Sequence, residues 1–257
     1  MKKRIIISVL LLIIICTVGI MSYSPLRNKI EQIFFATKVY NLLNSEEYMN
    51  LHQVITKDSV NSRTIMWQSL NDREDFVLEY KQENEEEILQ AKPQKSVLDI
   101  DNKKIYIYAV TLENLRADMV YDYRVGFENN RSDWYKLKTA KENNNKFKAL
   151  IFPDSQSNDY TEWKSLAMNA WQNNQDSDFF INMGDLVDNG YDLVQWNGWF
   201  DGVEPMVNNI PVAPVQGNHE TYTTDWQVAM PNVYLEIFKL PTNGNVIHLI
   251  MVMFILL

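Results

Sequence analysis

An all-β sandwich followed by an α/β domain is the fold class that this 257-residue sequence predicts, and three observations predict it. Between His52 and Ala140 the apolar residues recur with period two, as in half-buried strands. From residue 147 onward strand-like apolar runs alternate with helix-like ones, the rhythm of βαβ units and a largely parallel sheet. Three of those runs end in a polar residue able to meet a metal: Asp154, Asp185 and Asn218, spaced 31 and 33 positions apart.

The chain opens on Lys2, Lys3 and Arg4, followed by 17 uncharged residues from Ile5 to Met21. A basic start and an apolar run form a membrane-targeting pattern, longer than a signal core of about 7 to 15 residues and just short of the ~20 of a comfortable span. Residues 1–24 are therefore expected to be a signal or membrane anchor, with the uncleaved anchor favoured because no A-x-A site follows. The positive-inside rule then places the remainder outside the cytoplasm, membrane-anchored or secreted. Cys16, the only cysteine, lies inside this run, which excludes an intrachain disulfide. Residues 25–45 have helical spacing and are read as a stalk or linker.

Residues 46–140 supply the strands. "RTIMWQS", "DFVLEYK", "KIYIYAVTL", "VYDYRVGF" and "DWYKLKT" alternate or are rich in β-branched and aromatic residues, and turn-forming "NSR", "NDRED" and "DIDNKK" separate them. Leu115 and Tyr121 stand six apart, the arrangement in which a tyrosine entering a strand hydrogen-bonds back across the preceding corner. With Trp67 on an early strand, the segment resembles a fibronectin type III-like domain, and more narrowly the N-terminal domain of purple acid phosphatases. Trp67, Tyr121 and Tyr123 are core aromatics in that reading and carry no chemistry.

"KENNNK", polar and aperiodic, marks a boundary at 141–146. Beyond it, "FKALIFPDS", "DFFINMGD" and "IPVAPVQGNHE" read as strands, and "TEWKSLAMNAWQNN" and "YDLVQWNGWFDGVEPMVNN" as helices. A net charge of -9 and a pI near 4.9 argue against a general polyanion binder, because phosphate backbones are held by clustered Lys and Arg. The acidity gathers in stretches such as "KQENEEEILQ", read as a solvated face or loop.

The spacing of Asp154, Asp185 and Asn218 is about one βα unit, so all three are expected to emerge at the carboxyl edge of adjacent strands, where α/β sheets bind ligands. Gly184 and Gly217 each precede the polar residue, as a sharp turn or close backbone approach requires. Oxygen donors together with His219 suit divalent metals; a shared carboxylate can hold two ions about 3.5 to 4 Å apart, clamp a phosphoryl group and acidify a bridging water.

Residues 147–246 resemble the first part of a calcineurin-like metallophosphoesterase, whose pattern runs D-x-H, GDxx(D or Y), GNH(D or E), then later histidines. The whole order resembles a purple acid phosphatase: a fibronectin III-like sandwich followed by an incomplete α/β (αββα-type) metallophosphoesterase domain. The resemblance implies two divalent or trivalent ions (Fe, Zn, Mn or Mg) and a phosphate ester substrate. By it, Asp154 binds one metal, Asp185 bridges both and serves catalysis, Asn218 binds the second, and His219 contacts phosphate and aids the leaving group. Gln156 stands where the pattern has a ligand histidine, a poorer donor for Fe or Zn. Asp188 occupies the tyrosine position of the purple enzymes, so their colour is not expected; Asp188 is read either as a helix or loop cap or as supporting the ligands from behind, and Glu220 as a supporting or a structural residue.

The later histidines of that pattern are not found among the three in this sequence, His52, His219 and His248. An unpaired sheet edge and an uncovered side of the core are expected in consequence. The apolar tail 247–257 can be back-translated so that a one-base shift yields a strand of phosphoesterase type, and an out-of-frame tail is the expectation. The chain is accordingly read as a metallophosphoesterase with weak metal binding and negligible turnover. The alternative is an extracytoplasmic adhesion or binding module in which the sandwich alone functions.

Overall fold

The computed structural model describes residues 48–100, 103–142, 146–157 and 159–240. The expected anchor, the stalk and the tail at 247–257 lie outside those residues. No helix among the described residues is long and apolar enough to cross a membrane.

Nine strands build the sandwich: β1 (Tyr48–Val54), β2 (Arg63–Ser69), β3 (Val77–Gln82), β4 (Leu89–Ala91), β5 (Gln94–Ile100), β6 (Lys103–Leu112), β7 (Val120–Phe127), β8 (Asn130–Arg131) and β9 (Tyr135–Lys138). One layer pairs β1-β2-β6-β5 antiparallel, and the other orders β4-β3-β7 with β8 and β9 on β7. The period-two residues face inward: Trp67, Phe76, Leu78, Tyr108, Tyr123, Val125 and Leu137 form the core between the layers. Trp67 stacks on Tyr108 at 5.7 Å, and Phe76 meets both rings. "KQENEEEILQ" is largely an exposed connection, its first two residues ending β3 and its last two entering β4.

The corner forms as the spacing requires. Tyr121, near the start of β7, accepts a hydrogen bond at its hydroxyl from the Arg116 backbone N–H at 2.9 Å, and Leu115 beside it is buried. Tyr121→Phe keeps the ring in the core and removes that acceptor, so a loss of about 1 kcal/mol is expected. Urea denaturation checks it; an unchanged midpoint would show that the corner contributes nothing.

The α/β part contains β10 (Ala149–Phe152), α1 (Thr161–Gln172), β11 (Phe179–Asn182), α2 (Leu193–Val203), α3 (Met206–Asn209), β12 (Val212–Pro214) and α4 (Asn232–Phe238). The three strands are parallel, with Phe152, Asn182 and Pro214 in one row, so their continuations leave the sheet side by side. In α1, Trp163, Ala167 and Trp171 recur at helical spacing and are buried. Its Trp163 stacks on Trp199 of α2 and donates its indole N–H to the Trp199 carbonyl at 3.2 Å. Asp192 caps α2, accepting from the N–H groups of Val194 at 2.8 Å and Gln195 at 3.4 Å.

Two expectations about the sheet fare differently. The edge at β12 is taken, since β12 pairs parallel with β1 through Val54 and Val212 and the Ile55 N–H donates to the Val212 carbonyl at 3.0 Å, while among the described residues the outer strand β10 pairs with β11 alone. One seven-stranded sheet thus runs β10-β11-β12-β1-β2-β6-β5, joining the α/β strands to a layer of the sandwich. On the face opposite the buried Phe152, however, Ile151, Met183 and Val215 are 59, 59 and 45 % exposed.

Candidate functional site

Three loops leave the carboxyl edge of β10, β11 and β12, and backbone hydrogen bonds lock them together. The Asp185 carbonyl accepts N–H groups from Ser155 at 3.1 Å and Gln156 at 3.0 Å, tying the first loop to the second. Asp185 Oδ1 accepts the His219 N–H at 3.0 Å, tying the second to the third. Asp154, Gln156, Asp185, Asn218 and His219 therefore share one edge. Asp154 and Asn218 are exposed, whereas Gln156, Asp185 and His219 are half-buried.

The turn at Gly184 and Asp185 is left-handed at both residues, with φ 98° and 47°. Glycine adopts the first freely, and aspartate is among the few side chains that tolerate the second. Gly217 serves another purpose. A Cβ placed there would collide with Asp185 Oδ1, so only glycine lets the third loop close over this carboxylate. Gly217→Ala must displace it. The expected result is at least a tenfold loss of Mn2+ affinity and about 2 kcal/mol of stability, read by titration calorimetry and urea denaturation. An Ala variant that binds Mn2+ like the parent would show that the Asp185 carboxylate is not a ligand.

Beneath the turn lies Glu220, fully buried. Its carboxylate accepts backbone N–H groups from Gly217 at 2.6 Å, Leu186 at 2.8 Å, Asp185 at 3.1 Å and Val187 at 3.4 Å. Burial pushes this carboxyl above its ordinary range, the N–H groups of Gly217, Leu186 and Val187 pull it back, and the Asp185 charge adds to the rise. Asp188 supports His219 in a comparable way. Its carbonyl oxygen lies 2.8 Å from His219 Nδ1 and its carboxylate 3.4 Å away. A carbonyl only accepts, so Nδ1 carries the hydrogen and Nε2 is left to hold or deliver a proton.

Three supporting residues were not singled out from sequence. Asn182, buried at the end of β11, donates to the Pro153 carbonyl at 2.7 Å and accepts from the Ser155 hydroxyl at 2.8 Å and the Trp199 indole at 2.9 Å. A polar residue closing the apolar "FFIN" was its only signal. Tyr222 accepts from Asn218 Nδ2 at 3.2 Å, which fixes the amide and turns its oxygen to other use. Trp226, exposed beyond it, places its ring edge-on to His219 at 6.4 Å.

The donors fit a hard cation better than a soft one. Among the described residues, no three His, Cys, Asp or Glu side chains come together as a metal-ligand group. The donors that the three loops carry to this edge are two carboxylates, Asp154 and Asp185, and the amides of Gln156 and Asn218. Gln156 Oε1 is buried with no hydrogen-bond partner, the state of an acceptor positioned for a cation. All-oxygen sets of this type suit Mg2+, Mn2+ or Ca2+.

Residues 48–139 match the purple acid phosphatase N-terminal domain, and residues 132–251 match the calcineurin-like phosphoesterase family. A curated Arabidopsis thaliana protein named probable inactive purple acid phosphatase 27 is 27 % identical over 139 residues, which cover 47 % of this chain and 22 % of the relative. The structure of purple acid phosphatase PPD1 from yellow lupin (Lupinus luteus) superposes with a TM-score of 0.59 at 17 % identity, over 76 % of this chain and 39 % of that one. A structure of PhoD superposes with a TM-score of 0.53 at 12 % identity, over 80 % and 49 %. The chain thus spans about a fifth of the curated relative and under half of the two solved structures. Both families use a dinuclear metal centre. The chain is purple acid phosphatase-like, with the N-terminal sandwich of that family running into a calcineurin-like metallophosphoesterase domain.

Proposed function

We propose that the chain binds a phosphate ester through a divalent cation at the β10-β11-β12 edge, and that its own residues support little or no hydrolysis. The observation that carries this is the Asp185 junction, whose carbonyl holds the Asp154–Gln156 loop and whose carboxylate holds the His219 loop. Asp154 and Asp185, with Gln156 and Asn218, would hold the cation. When bound, it supplies Lewis-acid polarisation of a phosphoryl oxygen. His219, its tautomer set by Asp188, keeps Nε2 for a phosphate oxygen or a leaving group. Gln156 in place of an imidazole, and only two carboxylates in the set, favour weak retention of the cation. The name of the Arabidopsis relative, which describes it as probably inactive, points the same way.

Titrating Mn2+ and following p-nitrophenyl phosphate together test the proposal. Saturable Mn2+ binding, at least tenfold weaker in Asp185→Asn, with no turnover above background, is expected. Metal-dependent turnover that Asp185→Asn abolishes would sink the inactivity, and no Mn2+ binding at all would sink the site.

We further infer that the sandwich is fibronectin III-like, supported by the Tyr121 corner, and that the apolar run from Ile5 to Met21 sets the chain outside the cytoplasm. Protease protection in spheroplasts tests that placement: full resistance to added protease would contradict it. The sandwich as a free-standing binding module is disfavoured by the sheet shared between β1 and β12. Limited proteolysis that released a stable core ending near Ala140 would restore that alternative.

A further inference from the structure

We propose that a cavity between the sandwich and the α/β strands, distinct from the metal edge, binds a small amphipathic anion: one carboxylate on an apolar body. The cavity measures about 540 Å3 and includes Phe179, where β11 begins, and Pro211, just before β12. It therefore opens at the amino edge of the parallel strands, whereas Asp154, Asp185 and Asn218 stand at the carboxyl edge. Its volume is within the range of about 300 to 1,000 Å3 typical of small-molecule sites.

The walls are mixed, and the carboxylates among them, Glu83, Asp178 and Asp176, are each paired with a lysine: Lys136, Lys138 and Lys148. Of the apolar residues, Ile55 and Val120 come from the sandwich side, and Phe147, Trp171, Phe179 and Ile210 from the α/β side. Set into them are two buried polar side chains left incomplete. Arg63, on β2, is 2 % exposed; its Nη2 donates to the Lys138 carbonyl at 2.9 Å, while Nε and Nη1 have no partner. Ser177, 4 % exposed, lines the same cavity, and its hydroxyl has no partner either.

Charge identifies the class of ligand. The other cations of the lining are already compensated: Lys136 by Glu83 and Asp122 at 2.7 and 2.8 Å, Lys138 by Asp178 at 3.3 Å, and Lys141 by Asp118 at 3.1 Å. Among the described residues, Arg63 has no such carboxylate. Burial lowers its guanidinium to about 10, with the Tyr123 hydroxyl opposing, so it is still charged at neutral pH. A buried charge without a counter-ion costs several kcal/mol. Nε and Nη1 are closed to water in the cavity as it stands, so water neither satisfies them nor compensates the charge. A single carboxylate, met by a turn of the guanidinium toward the cavity, does both, and the apolar part of the walls then encloses the rest of the molecule. Inorganic phosphate has no such body, and a neutral aromatic has no charge.

Titration calorimetry of the full chain with 1-naphthoate, 1-naphthalenemethanol and inorganic phosphate tests this. Naphthoate is expected to bind once per chain and at least tenfold more tightly than the alcohol or phosphate. Arg63→Met, which places an apolar chain where the unpaired charge was, should weaken naphthoate at least tenfold. Ala140→Phe, which fills the cavity from its lining and leaves Arg63 in place, should do the same and decides the matter should the first variant fail to fold. Asp185→Asn should leave naphthoate binding unchanged, which separates this site from the metal edge. Equal affinity for acid and alcohol, parental affinity in Ala140→Phe, or no saturable binding at all would overturn the proposal.

Discussion

Glu220→Ala is expected to remove about 4 to 6 kcal/mol of stability. The carboxylate is fully buried and collects backbone N–H groups from two loops, Asp185 to Val187 and Gly217. Alanine strands all of them, at roughly 1 to 3 kcal/mol for each donor that stays buried; partial opening of the turn to water keeps the total below the sum. Because those amides shape the Gly184–Asp185 turn, Mn2+ binding should be lost along with stability. Glu220→Gln separates charge from contact. Its amide oxygen can still accept while its NH2 faces a second donor, so about half the loss is expected. Urea denaturation of the three proteins measures this; a Glu220→Ala loss below about 1 kcal/mol would mean that water already serves these amides.

The contrast between Asp185 and Glu220 shows what a sequence displays. Asp154, Asp185 and Asn218 could be found because strand-end spacing is a one-dimensional signal, and the parallel register of β10, β11 and β12 turned equal spacing into one edge. The fourfold acceptor role of Glu220 depends on two loops 34 residues apart folding onto each other, as in its bond to the Leu186 N–H, and nothing local encodes it. Strands show the same divide. "VYDYRVGF" coincides with β7 because alternate residues enter the core, which produces period two, whereas "RTIMWQS" coincides with β2 through its β-branched and aromatic content, since the strand is buried at every position but Thr64. β1, "YMNLHQV", was missed because Leu51, His52, Gln53 and Val54 are buried in succession, and two of them are polar. Its burial on both faces follows from its place between β2 and β12, and that adjacency is long-range. The domain boundary at 141–146 marks a change of rhythm along the chain, although the sheet itself continues through β12 and β1.

That same strand carries a pH dependence. His52 is buried where β1 meets the α/β helices, its ring 4.9 Å from Phe200 of α2 and 5.7 Å from Phe238 of α4. Nδ1 lies 2.6 Å from the Asn50 carbonyl and Nε2 lies 3.1 Å from the Ile237 carbonyl. Burial lowers the imidazole from 6.5 to about 4, and the two carbonyls oppose this without prevailing. A histidine whose folded value is depressed keeps its full stabilising effect above the unfolded value. The effect is lost as pH falls from about 6.5 to about 4, because the unfolded chain takes up the proton first. The difference corresponds to about 3 kcal/mol at its full extent. Carboxylates titrate over part of the same range, so the parent alone is not diagnostic. His52→Gln retains a donor for one carbonyl and does not titrate. It should be less stable than the parent at pH 7, and the gap should close by about 3 kcal/mol on moving to pH 4. Urea midpoints across that range for both proteins provide the comparison, and parallel curves would show that His52 is protonated as readily in the folded state as in the unfolded one.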